Sequence, residues 1–198
     1  MIKAVIFDVD GVLVDSYEAN FQFYTKLFKA AGYTGPSRKD YPYLFHLTMK
    51  DLIKKITKLK SEEEIEKIWL MGKNVIEYPY NFLKTPKTLI KIIKSLNQNY
   101  ELAIVSSRIS TKLFDEIPSL LKVKKYFKVI VLYEDTKKHK PHPEPLLLAA
   151  KKLKVKPSEC VYIGDAKTDM QAADSASMKK IYYSKDFENL PKLIESLK

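Results

Sequence analysis

The sequence predicts an α/β protein: a parallel sheet covered by helices on both faces, with a small all-helical domain following the first strand. Three observations predict it. From Thr85 onward, short apolar runs alternate with amphipathic helical stretches, the pattern of strand, crossover helix and parallel strand. The opening run, Ala4 to Phe7, is wholly apolar and rich in β-branched and aromatic residues, as befits a strand buried on both faces. Between these, residues 17–80 carry helical patterns with no strand and no repeat. The expected domains are 1–16 with 81–198 as the sheet core, and 17–80 as a helical cap.

Each element has a local reason. Phe21, Tyr24, Leu27 and Phe28 recur at helical spacing over Tyr17 to Ala31, and Gly32 ends that helix. Gly35-Pro36-Ser37 is a turn, and Tyr41 to Leu47 is aromatic without a clear period. Leu52, Ile53, Ile56 and Leu59 mark a second helix. Ser61 with Glu64 reads as a capping box for a third, whose apolar face holds Ile65, Ile68, Trp69 and Ile76. Trp69, Tyr78 and Phe82 are expected in the core. Tyr78-Pro79-Tyr80 breaks the helical block. Pro86 opens a helix with Leu89, Ile90, Ile93 and Leu96; Leu102 to Val105 is the second strand, ending in Ser106-Ser107-Arg108. A shorter helical region interrupted by Pro118 leads to a third strand, Val129 to Leu132. After the polar loop Glu134 to His142 come a helix from Pro143 to Leu153 and a fourth strand, Val161 to Ile163, ending in Gly164-Asp165. A helix from Lys167 to Ala176, a strand from Lys180 to Tyr183 and a final helix complete the chain.

Composition narrows the function. The 198 residues are 45% hydrophobic and 12% aromatic, which supports a sizeable core and excludes global disorder. No apolar run approaches a membrane span, and no basic segment followed by an apolar one opens the chain, so a soluble cytoplasmic protein without a membrane partner is expected. Cys160 is the single cysteine, which excludes an internal disulfide and suits a small core residue. The net charge of +11 raises the question of nucleic acid. Yet Arg38 and Arg108 are the only arginines, and the lysines are spread over every helix. Solvated lysine faces explain this better than a nucleic-acid surface, which would concentrate Arg with exposed aromatics. The field still favours anionic substrates.

In such sheets the site lies beyond the carboxyl ends of the strands, where strand order reverses. Polar residues sit at those ends: Asp8 and Asp10, Ser106, and Asp165. Side chains at i and i+2 of an extended chain point the same way, so Asp8 and Asp10 emerge together, and Gly11 permits a sharp turn. Two adjacent acids repel unless a cation or proton intervenes. Each group also has a plain structural reading. Asp8 and Asp10 could cap a turn, Ser106 the next helix, and Asp165 and Asp169 favour a helix amino terminus. Lys140 sits among the solvated Lys137 and Lys138. His139 and His142 lack a third nitrogen or sulfur ligand for a metal.

Taken together, DVDGVLVDS, a strand ending in Ser106, the Lys140-Pro141-His142-Pro143 segment and Gly164-Asp165-Ala166-Lys167-Thr168-Asp169 resemble the four motifs of the haloacid dehalogenase superfamily. The resemblance spans the whole chain. It is closest to the subgroup with a helical cap after the first motif, such as phosphoglycolate phosphatases and β-phosphoglucomutases. It implies a Rossmann-like core. It also implies that Asp8 is a nucleophile forming an aspartyl-phosphate and that Asp10 is the general acid and base. Lys140 would complete the catalytic set, and Ser106, Ser107, Lys140 and Gly11 would bind phosphate. Mg²⁺ would be held by Asp8, Asp165 and the Asp10 carbonyl, with Asp169 orienting a metal-bound water and Lys140. Four acids would be balanced by a proton on Asp10, Lys140 and the ion.

The implied partner is a small anionic phosphorylated metabolite, with the protein a monomer or homodimer. The alternatives are a phosphomutase, whose expected cap His is replaced by Asn20, and a non-catalytic nucleic-acid-associated protein. A dehalogenase would lack the second acid, and a phosphonate-cleaving relative would carry Ala in place of Asp10. Val12 replaces a common Thr, Ser177 a common Gly, and Ser106-Ser107-Arg108 is a variant second motif.

Overall fold

The structure is a computed structural model that describes residues 1–183 and 186–197. Its chain divides into two compact units, Ser16–Leu83, and Met1–Asp15 with Lys84–Lys198. The larger unit is built on five parallel strands: β1 (Ala4–Phe7), β2 (Glu101–Val105), β3 (Phe127–Val131), β4 (Cys160–Gly164) and β5 (Lys179–Tyr182). Their order is β3-β2-β1-β4-β5. From β1 the chain steps outward to β2 and β3, then returns to the other side of β1 for β4. The reversal of strand order therefore falls between β1 and β4.

Burial explains the order. Every residue of β1 and β4 is buried, so these strands can only be central. At the β5 edge Lys179, Lys180 and Tyr182 are exposed, and lysines on an edge discourage pairing with another chain. Ala4, Ile6, Ala103, Val105, Cys160 and Tyr162 form one face of the sheet. They pack with Leu146, Ala149 and Ala150 of a helix over Glu144–Leu153, and with Ala172 and Ala173 of another over Lys167–Ser175. On the other face Val5, Phe7, Leu102, Ile104, Val161 and Ile163 are equally buried. There Phe7 meets Phe127 edge-on at 6.0 Å between ring centroids. Helices thus cover both faces, as expected of a Rossmann-like core. Where the smaller unit leaves and returns, Asp15 and Lys84 exchange backbone hydrogen bonds of 2.7 and 3.2 Å, so the larger unit closes on itself there.

The smaller unit holds three helices, α1 (Tyr17–Ala30), α2 (Met49–Thr57) and α3 (Glu62–Asn74). Thr48 and Ser61 cap α2 and α3 by accepting the Asp51 and Glu64 amide hydrogens. Tyr41 lies at the centre of a ring cluster. It is fully buried in a single 3₁₀ turn, with Tyr17, Phe21, Tyr24 and Phe45 around it at 5.1–6.4 Å. That explains the aperiodic aromatic stretch: a compact turn collects rings without imposing a helical repeat. Trp69 is buried as expected, Tyr78 is half-buried, and Phe82 is exposed, contrary to expectation. Arg38 is held by Glu18 through two hydrogen bonds of 2.6 and 2.8 Å and lies over the Phe21 ring.

Some boundaries differ from the sequence pattern. Lys58 takes a left-handed conformation that ends α2 before Leu59, and α3 stops before Ile76 at the exposed β-branched Val75. In the larger unit α4 (Leu89–Leu96) begins one turn after Pro86. The region around Pro118 splits into α5 (Leu113–Glu116) and α6 (Pro118–Lys124). The two helices that pack on the Ala4 face are α7 (Glu144–Leu153) and α8 (Lys167–Ser175), and α9 (Leu190–Glu195) ends the chain. No helix among the described residues is long and apolar enough to cross a membrane.

Ser177, standing where a glycine was expected, ends α8 with φ of 56°. An L side chain in that left-handed conformation costs about 1–2 kcal/mol, partly offset because glycine loses more freedom on folding. Ser177→Gly is therefore expected to stabilise the protein by about 0.5–1 kcal/mol in urea unfolding. An unchanged or lower midpoint would contradict this.

Candidate active site

Three strand ends and one loop supply the site. Asp8 directly follows β1, and its amide donates to the Ile163 carbonyl of β4 at 2.9 Å, holding the two strand ends level. Asp165 directly follows β4, and Ser106 follows β2. Lys140 arrives from the loop between β3 and α7.

The Lys140 ammonium lies 3.1 Å from Asp8 Oδ1 and 2.7 Å from Asp169 Oδ1, with 8% of its side chain exposed. It also donates to the Tyr162 hydroxyl at 3.0 Å, and that hydroxyl donates to Asp169 Oδ1 at 3.2 Å. Asp169 Oδ2 accepts the amide hydrogens of Asp165 and Ala166 at 3.2 and 3.1 Å. Asp169 therefore has both oxygens in use. It caps the first turn of α8 and fixes Lys140.

One oxygen each of Asp8, Asp165 and Asp169 lies within 4.8 Å of the others. All-carboxylate donors suit a hard divalent cation. The charges favour one too, because three acids share a single buried ammonium. Burial pushes the Asp8 carboxyl well above its usual range; Lys140 pulls it back, and Asp169, Asp10 and Asp165 push it further up. Burial, then Asp169, raises Asp165 to about 7. Burial opposes charge on Lys140, but Asp8, Tyr162 and Asp169 outweigh it and hold the ammonium protonated.

Two glycines make room. A Cβ on Gly11 would lie 1.8 Å from an Asp165 carboxylate oxygen, and φ at Gly11 is +78°. A Cβ on Gly164 would lie 2.4 Å from Asp169 Cβ.

The Asp10 carboxylate is gripped by Arg108, whose Nε and Nη2 donate to its two oxygens at 2.8 and 2.7 Å. Ser106 is buried, and its Oγ accepts the Arg108 amide hydrogen at 3.2 Å, while Ser107 beside it is exposed. His139 stacks on Tyr133 at 3.8 Å, and His142 Nδ1 accepts the Glu144 amide hydrogen. Cys160 is buried, its thiol pushed up to about 11 by burial.

A sequence model described as haloacid dehalogenase-like hydrolase matches residues 5–183. The chain belongs to this family. Among its relatives is the phosphorylated carbohydrates phosphatase of Thermotoga maritima, 30% identical over 193 residues, covering 91% of this chain and 84% of that protein. The β-phosphoglucomutase of Clostridium difficile is similar in structure, with a TM-score of 0.76, 26% identity, and coverage of 97% of this chain and 88% of that one. The phosphoglycolate phosphatase of Escherichia coli K12 matches at 38% identity over 61 residues, 31% of this chain and 24% of that protein.

Sequence reasoning passed over two residues of this hydrolase site, Arg108 and Tyr162. Arg108 is one of two arginines in a lysine-rich chain, and Tyr162 is the polar-tipped residue in the strand before Gly164-Asp165. Both signals were present, but neither named a partner.

Two outcomes are expected. An acid whose pKa is raised by folding weakens the fold when ionised, so stability is highest near the ordinary carboxylate pKa of about 4 and falls as pH rises through about 7. Asp8 shifts in the same direction. With divalent ions chelated, the thermal midpoint should drop between about pH 5 and about pH 8, and Asp165→Asn should flatten that drop. A wild-type midpoint that rises over this range would contradict the assignment. Gly164→Ala should displace Asp169 and destabilise the fold by about 1–3 kcal/mol, measured by urea unfolding. A neutral result would mean that Asp169 has room to move.

Proposed function

We propose that the protein is a cytoplasmic Mg²⁺-dependent phosphatase that hydrolyses a small phosphomonoester through an aspartyl-phosphate on Asp8. The observation that carries this is the convergence of Asp8, Asp165 and Asp169 on Lys140 at the carboxyl ends of a parallel sheet. The phosphatase named among its relatives supports the same class.

In this reading Asp8 attacks phosphorus in line. The new bond from its oxygen to phosphorus forms as the ester P–O bond breaks, and Asp10 gives its proton to the departing oxygen. Asp10 then takes a proton from water, whose oxygen displaces Asp8 from phosphorus and releases phosphate. Lys140, Ser106, Ser107 and the backbone at Gly11 hold the phosphoryl oxygens. Asp8, Asp165 and the Asp10 carbonyl are the groups that would hold Mg²⁺, with Asp169 orienting Lys140 beside them; when bound, the ion offsets the negative charge of acids and phosphate. The helical unit is proposed to be the cap that selects the substrate. Phosphoglycolate is the first substrate to try, since the family resemblance and the match to its phosphatase point the same way.

A phosphomutase shares this chemistry, and a solved β-phosphoglucomutase is similar to the chain. Against that reading, the Asn20 side chain accepts from the Tyr78 hydroxyl at 2.5 Å and donates to Ser16 Oγ at 3.4 Å. An amide so engaged cannot shuttle a proton as a histidine would.

The test is phosphate release from p-nitrophenyl phosphate and a metabolite panel, with Mg²⁺ and with EDTA. Activity should require the metal and fall about 10³-fold or more in Asp8→Asn. Equal rates with EDTA, or full activity in Asp8→Asn, would overturn the proposal. Conversion of β-glucose 1-phosphate to the 6-phosphate would favour the mutase.

A further inference from the structure

We propose that Arg108 is a positioning residue that sets the orientation of the Asp10 carboxylate toward the leaving-group oxygen. The inference rests on the role given to Asp10 above. The two residues are 98 apart in sequence, yet Nε and Nη2 of Arg108 meet the two Asp10 oxygens at 2.8 and 2.7 Å. This is the planar, two-point grip that only a guanidinium makes. Both side chains are largely shielded, at 14% and 26% exposure, so the pair is not a solvated surface contact.

The arginine backbone is itself pinned. Its amide donates to Ser106 Oγ at 3.2 Å, and its carbonyl accepts the Tyr133 amide hydrogen at 3.0 Å. A loop beyond β2, pinned at this amide and carbonyl, thus holds the side chain of the residue just before Gly11. A carboxylate oxygen has two lone-pair sites, and the arginine takes one on each. The arginine thereby sets the plane in which the carboxylate meets a leaving group or a water. Phosphoryl transfer to Asp8 needs no such help when the leaving group is already a stable anion.

Leaving-group dependence provides the test, because a general loss of folding changes all substrates alike. For Arg108→Ala, kcat on an alkyl phosphate should fall about tenfold further than kcat on p-nitrophenyl phosphate. Arg108→Lys, which keeps the charge and loses the two-point grip, should retain part of that extra loss. Equal losses on the two substrates in Arg108→Ala, or no loss, would overturn the inference. Complete restoration by lysine would overturn the role of the grip. Asp10→Asn is the control. If it discriminates between the leaving groups while Arg108→Ala does not, only the arginine assignment fails. If Asp10→Asn treats the substrates alike, the acid role of Asp10 fails, and the arginine assignment with it.

Discussion

The site depends on one buried ammonium shared by too many acids. Lys140 meets Asp8 and Asp169 directly, and Asp165 stands close by. Breaking a buried pair by removing one partner typically costs about 3–5 kcal/mol, because the remaining charge is left without compensation. Here the compensation is incomplete from the start. Burial and mutual repulsion raise both Asp8 and Asp165, so the cluster favours protons or a cation. A protein selected for stability alone would not be expected to gather these charges at the open end of its central strands. A protein that must bind a cation and accept a phosphoryl group has reason to.

The sheet makes this concentration of charge tolerable. Central strands buried on both faces leave nothing polar until they end, and the reversal between β1 and β4 brings two of those ends together. Backbone amides at the start of α8 take up one oxygen of Asp169, and the Tyr162 hydroxyl and Lys140 take up the other. That leaves Asp169 better suited to holding Lys140 than to acting as a free nucleophile. Asp8, at the end of β1, pairs with the lysine through Oδ1. The division of labour among chemically identical carboxylates follows from which of their lone pairs are already used.

Much of this was legible in the sequence, because the signals were local. The four apolar residues of β1, the acids immediately after it, and Gly164-Asp165 after β4 each carry their meaning within a few residues. What was not legible depended on distance or on irregular geometry. The ring cluster around Tyr41 has no period because a 3₁₀ turn builds it. Leu59 and Ile76 fit a helical repeat but lie past ends set by a left-handed Lys58 and a β-branched Val75. Phe82 looked like a core residue and is exposed, since nothing in a single aromatic residue tells which side of a 3₁₀ turn it will take. The pairing of Arg108 with Asp10 joins the loops that follow two neighbouring strands, 98 residues apart in sequence, and only the folded chain brings them together.

The claim that a cation completes this acid cluster is tested most directly by titrating the chelated protein with Mg²⁺ in a calorimeter at about pH 8, where Asp165 is ionised. The account predicts binding at one site in the wild type and a loss of affinity of at least about tenfold in Asp165→Asn. Affinity unchanged by that substitution, or no binding to the wild type, would contradict it.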